Sequence, residues 1–198
     1  MDDDVIKSAR EIALEKIEKL GQATEEERLS WKYLPEGETL AAKYLRDDSN
    51  LLAELSQYQE SVKKYVIQGA AEVLMRNLGL PKNEAAKKKN KRTMDGLKLL
   101  KNDKVGVENI YSKVRYLFTH YDEQGEQQRR QAYQSLKTEL EAKIQQAVQK
   151  QVGAVVTGKI DVEKQPQFQQ EWRKLEAQLD AAYLIHLNDY KQELSAIG

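Results

Sequence analysis

Apolar positions recur at helical spacing along nearly the whole chain, and the longest such run lies at its end. Between Gln165 and Ile197 a narrow seam of Phe168, Trp172, Leu175, Leu179, Ala182, Tyr190, Leu194 and Ile197 predicts one uninterrupted helix. Upstream, Tyr133, Leu136, Leu140, Ile144, Ala147 and Val148 form a matching seam. The two stretches therefore predict a pair of long antiparallel helices. At 1.5 Å per residue the last one would be about 50 Å long, beyond the ~30 Å diameter of a small domain. Such a hairpin is expected to project from a compact bundle or to be covered by a second copy of the chain.

The earlier stretches read as shorter helices. Val5, Ile6, Ala9, Ile12, Ala13, Ile17 and Leu20 predict a helix over about 3–20, with Gly21 as its stop. Thr24 and Glu27 have the form of a capping box. The helix they open is expected to end before Pro35, because the residue preceding a proline is pushed out of the α region. Leu40, Ala41, Tyr44 and Leu45 predict a second short helix, and Asp47-Asp48-Ser49-Asn50 is turn and N-cap chemistry before Leu51, Leu52, Leu55 and Tyr58. A core helix follows over 60–78, where Gly69, Ala70 and Ala71 would let a neighbour approach closely; Gly79 and Pro81 close it.

Asn83 caps the next segment, and Val107, Ile110, Tyr111, Val114, Leu117, Phe118 and Tyr121 predict a further helix that Gly125 either breaks, the favoured reading, or interrupts at a cost of about 1 kcal/mol relative to Ala. Residues 153–166 connect the two long helices. Val155–Ile160 could form two short strands, but two strands alone are marginal in water and a plain loop is expected. The fold class is all-α: a compact helical bundle over 1–105, then a coiled-coil-like antiparallel helical hairpin over 106–198.

Composition sharpens this. Lys and Arg number 32, Asp and Glu 32, with three prolines among 198 residues. Balanced charge points to no nucleic acid, membrane or acidic partner, and the apolar content is too high for a disordered chain. The absence of cysteine excludes disulfides and thiolate metal sites. Met1-Asp2-Asp3-Asp4 is acidic where a signal peptide is basic, and no apolar run reaches the ~20 residues of a membrane span. The expectation is a soluble, cytoplasmic protein.

Candidate chemistry is sparse. Of the two histidines, His186 falls on the seam of the last helix, three residues before Asp189, and reads as an imidazole paired with a carboxylate at a helix interface. The residues three before His120 and His186 are Leu117 and Tyr183, so the Glu-x-x-His pairs of di-iron bundles are absent. Neither a phosphate-binding loop nor a nucleophile elbow occurs. No catalytic residue, metal site or cofactor is predicted, and the chain is expected not to be an enzyme.

Lys82 to Lys104 holds nine basic residues against Glu84, Asp95 and Asp103. Lys87, Lys88, Lys89, Lys91 and Arg92 are the candidate anion or nucleic-acid contact. Consecutive lysines point around a helix, however, and no aromatic is interleaved for base stacking, so a solvated helix start is the favoured reading. Tyrosine is over-used, ten against two Phe and two Trp, and Tyr65, Tyr111, Tyr121, Tyr133, Tyr183 and Tyr190 are expected at helix margins with rings packed and hydroxyls wet.

The function expected from these residues is that of a non-enzymatic helical scaffold or protein-interaction protein. Its candidate pairing seam is Phe168, Trp172, Leu175, Leu179, Tyr190 and Leu194, and its partner is a helix of another protein or of a second copy. The alternative is nucleic-acid binding through Lys87–Arg92.

Overall fold

A computed structural model describes Gly21 and residues 23–47, 49–152 and 161–197. Every regular element among them is helical. They are α1 (Glu25–Asp47), α2 (Leu51–Leu55), α3 (Glu60–Asn77), α4 (Glu84–Leu100), α5 (Lys104–His120), a π-helical turn (Tyr121–Gly125), α6 (Glu126–Val152), a 3-10 turn (Val162–Lys164) and α7 (Pro166–Ala196). The predicted helix over 3–20 and the connection over 153–160 lie outside the described residues. Gly21, expected just past that first helix, is itself helical.

The chain divides into two compact units. One comprises the described residues up to Asn77 with Arg92–Leu100, the other Leu78–Lys91 with the described residues from Lys101 onward.

The first unit is built on the contact between α1 and α3. The capping box opens α1 as expected: the Thr24 amide donates to Glu27 Oε2 at 2.8 Å, and the Glu27 amide donates to Thr24 Oγ1 at 3.2 Å. The helix does not end before Pro35 but runs through it, joining the two short helices expected there into one. Packing outweighs the proline. Gly37 of α1 lies against the backbone of α3 so closely that a Cβ would overlap the Val66 carbonyl oxygen and stand 2.9 Å from the Ala70 amide nitrogen. Gly69 of α3 returns the contact, since its Cβ would overlap the Leu34 carbonyl oxygen. Two glycines facing opposite helices bring the backbones together, and any side chain would prise them apart. Ala41, Val66 and Ala70 are fully buried beside them.

Asn50 caps α2 through its side chain, which accepts from the Ala53 amide at 3.1 Å. The second half of α4 completes this unit. Gly96 gives the Tyr44 ring and Leu74 room to close in, Arg92 Nε donates to the Tyr44 carbonyl at 2.6 Å, and its guanidinium covers the Tyr44 ring at 4.5 Å.

In the second unit α5, the π turn and α6 form one continuous helical path from Lys104 to Val152, about 70 Å long at 1.5 Å per residue. The break expected at Gly125 does not occur. The π turn absorbs an extra residue there, as π-bulges do. Gly125 is buried, and a Cβ on it would sit 3.1 Å from both Arg129 Nη1 and the Tyr183 hydroxyl oxygen. Glycine is needed for space, not to stop the helix.

α7 runs antiparallel to this path. Lys137 pairs with Glu163 at 2.6 Å, Tyr133 meets Phe168 and Trp172, Tyr121 meets Asp180, and Lys113 pairs with Glu193 at 2.7 Å. As one number falls the other rises. α7 therefore pairs with α5 as well as α6, so the upper half of the expected hairpin partner is α5. At the far end Leu140, Val162 and Phe168 form a buried cluster, flanked by Tyr133, Leu136, Ile144 and Trp172. Asn90 ties the start of α4 to the preceding turn, accepting from the Gly79 amide at 3.0 Å and donating to its carbonyl at 2.6 Å.

Candidate functional site

α7 presents two faces with different chemistry. The inner face is closed by Phe168, Tyr183, Leu187 and Leu194, all buried, with Trp172, Leu175, Leu179 and Tyr190 half-buried beside them. Phe168 and Trp172 meet the Tyr133 ring edge-on, with centroids 5.1 and 5.0 Å apart. The structure thus brings Phe168 and Trp172 together with the upstream seam residue Tyr133. It departs from the expected seam in the middle, where Ala182 and His186 are exposed and Asp180, Tyr183 and Leu187 take the inner positions. The stripe follows steps of four from Leu179 through Tyr183 to Leu187. Counting a step of three at Ala182 lost the phase.

Where α7 crosses the π turn, the inner face turns polar. Asp180 is 3 % exposed, and its Oδ1 accepts from the Tyr121 hydroxyl at 2.9 Å while Oδ2 pairs with the ammonium of Lys82. Burial, reinforced by the Asp180 carboxylate, pushes the Tyr121 phenol well above its ordinary range. The Arg129 guanidinium lies 4.1 Å from the centre of the Tyr121 ring, and its Nη2 donates to the Tyr121 carbonyl at 3.3 Å. Arg129 Nη1 is buried without a hydrogen-bond partner. Tyr183 packs edge-on against Tyr121 at 5.0 Å, and its hydroxyl lies 3.0 Å from His120 Nδ1. Burial raises the Tyr183 phenol as well.

The result is a polar lock between helices. A buried carboxylate with a phenol donor and an ammonium partner is nearly satisfied, and breaking either contact leaves charge stranded. This cluster was not foreseen. Tyr121 and Tyr183 were expected at helix margins with wet hydroxyls, but both rings and the Tyr121 hydroxyl are inside. The sequence carried one signal, an aspartate flanked by Leu179 and Tyr183 on the stripe. His186, expected with a carboxylate at a helix interface, is exposed; among the described residues no group of three or more His, Asp or Glu is placed to hold a metal ion.

The outer face of α7 is different again. Lys174, Gln178, Ala181, Ala182, Ile185, Asn188, Asp189 and Gln192 are all exposed, and Ile185 is 62 % and Leu184 41 % exposed. On α5, Tyr116 is 73 % exposed, with its ring 6.5 Å from that of His120. A shallow recess along the end of α7 is lined by Asn188, Lys191, Gln192, Ser195 and Ala196.

The five candidate basic residues fall on α4 but do not act alike. Lys87 pairs with Asp122 at 2.9 Å and with Glu84 at 3.1 Å, and the Asp122 contact, then Glu84, raises its pKa. Arg92 is tied to Tyr44. Lys88, Lys89 and Lys91 are exposed. No described helix is long and apolar enough to cross a membrane.

A family model described as a family of unknown function (DUF6657) matches residues 52–196. No curated protein and no solved structure matches the chain.

Proposed function

The chain belongs to that family of unknown function, and from this premise we propose that it is a non-enzymatic helical scaffold that binds another protein through α7. The observation that carries the reading is the outward display of Ile185, Leu184 and their small neighbours Ala181 and Ala182 on a helix whose inner face is already filled. Pairing along the expected seam serves the chain's own fold, so association falls to the opposite side. The polar lock at Asp180 supports this by holding α7 in one register, which fixes the residues it presents. An exposed apolar surface on a rigid helix is a recurring form of protein recognition.

The basic segment gives the nucleic-acid alternative less support, because Lys87 and Arg92 already have protein partners. Light scattering on the purified chain tests the proposal. We expect a mass above 22.8 kDa, from self-association or a retained partner, that returns to the monomer value with Ile185→Glu. A compact monomer with no recoverable partner contradicts it.

A further inference from the structure

We propose that the occupant of the outer face of α7 is a second copy of the same helix, crossing antiparallel about a two-fold axis at Ala181 and Ala182. The inference rests on the interaction reading above and names its partner. Three features of the exposed face point to it. First, the face is self-complementary in charge: Lys174 lies as far before the Ala181–Ala182 centre as Asp189 lies after it, so an antiparallel copy sets each lysine opposite the other's aspartate.

Second, the centre is small. Two alanines at the crossing let helix backbones approach, and the two-fold places Ala181 of one copy against Ala182 of its partner. Third, Ile185 falls opposite Gln178 in the same register, so its exposed side chain is covered on both sides of the axis by the aliphatic stem of a glutamine. Lys174, Gln178, Ala181, Ile185, Asp189 and Gln192 are spaced by three or four residues and share one stripe. An isologous two-fold contact requires this kind of self-matching surface.

The area sets the strength. One face of a helix this long offers a strip of about 45 by 10 Å, below the ~800 Å² per partner of a standard interface. The dimer is therefore a concentration-dependent one, read best by sedimentation equilibrium on the full chain.

Reversing one charge turns two attractive contacts per dimer into repulsive ones. Lys174→Glu and Asp189→Lys should each weaken the dimer about tenfold or more, and the double variant K174E/D189K should recover wild-type association to within about threefold. Ile185→Glu should abolish the dimer. Both ends of the pair are exposed, and Lys174→Glu gives up only the 3.0 Å contact of Lys174 with Glu171 inside its own helix, so circular dichroism and melting of each variant should stay close to wild type, separating loss of association from loss of fold.

A dimer indifferent to these changes overturns the proposed face while leaving self-association intact. A monomer that carries a discrete heterologous protein overturns the second copy but not the broader interaction reading. A monomer with no partner overturns both.

Discussion

Tyr121 reaches from the π turn to Asp180 of α7 and donates its phenolic hydrogen bond at 2.9 Å inside the helix pair. The contact joins the one irregular turn of the long helical path to the only buried carboxylate among the described residues. It ties α7 to the turn between α5 and α6, and a slip of α7 along the path would draw Asp180 away from its phenol donor.

Tyr121→Phe keeps the ring and removes the donor, leaving Asp180 Oδ1 unmatched. Denaturant unfolding should show a loss of about 1–3 kcal/mol. Lys82→Met should destabilise at least as much, because it leaves the buried Asp180 carboxylate without its counter-charge.

The same phenol makes stability fall at high pH. Its folded pKa is raised above the unfolded value, so the folded state gains fully below the ordinary tyrosine pKa, about 10. That gain is lost as pH rises beyond it and the unfolded chain ionises first. Melting temperature should therefore drop from about pH 10 upward, and Tyr121→Phe should show a shallower drop.

At the far end of the helix pair the sign reverses. Lys137 holds the Glu163 carboxyl below its ordinary value, so the ion pair contributes above the unfolded carboxylate pKa and is lost as pH falls through the folded one. Amide exchange near Leu140 and Val162 should quicken as pH drops below about 4, relative to exchange near Leu187. Lys137→Met should remove that difference.

Gly69→Ala forces a methyl into the Leu34 carbonyl. We expect a loss of about 1–3 kcal/mol, with α1 and α3 pushed apart. Gly79→Ala, with open space around its Cβ, is the control.

Pro35→Ala should stabilise the chain. It restores the hydrogen bond that Pro35 cannot donate within α1, and the gain should be about 2 kcal/mol after the unfolded-state effect of proline is subtracted.

The helical class, the caps at Thr24, Asn50 and Asn83, and the antiparallel course of α6 and α7 were legible in the sequence because each depends on residues within a few positions of one another. Pro35 and Gly125 were not. Both look like helix breakers locally, and both are overruled by tertiary contacts, one from Gly37 and Gly69, the other from Tyr183 and Arg129. The seam of α7 was legible from Phe168 to Leu179 and again at Tyr190 and Leu194, and misphased at Ala182 and His186, since the buried stripe there includes Asp180, a residue that a search for apolar positions passes over. The outer face with Ile185 was invisible for the same reason: it shows itself only once the true inner face is known.

What covers the outer face of α7 decides whether this chain acts through that helix. Because the chain has no cysteine, Ala182→Cys introduces a single thiol, and mild oxidation at micromolar protein reports directly whether two copies meet there. Rapid formation of a disulfide-linked dimer, suppressed by Ile185→Glu and absent when the single thiol is placed by Leu52→Cys, is the predicted result. A thiol at position 182 that stays free, or that cross-links no faster than the Leu52→Cys control, would contradict it.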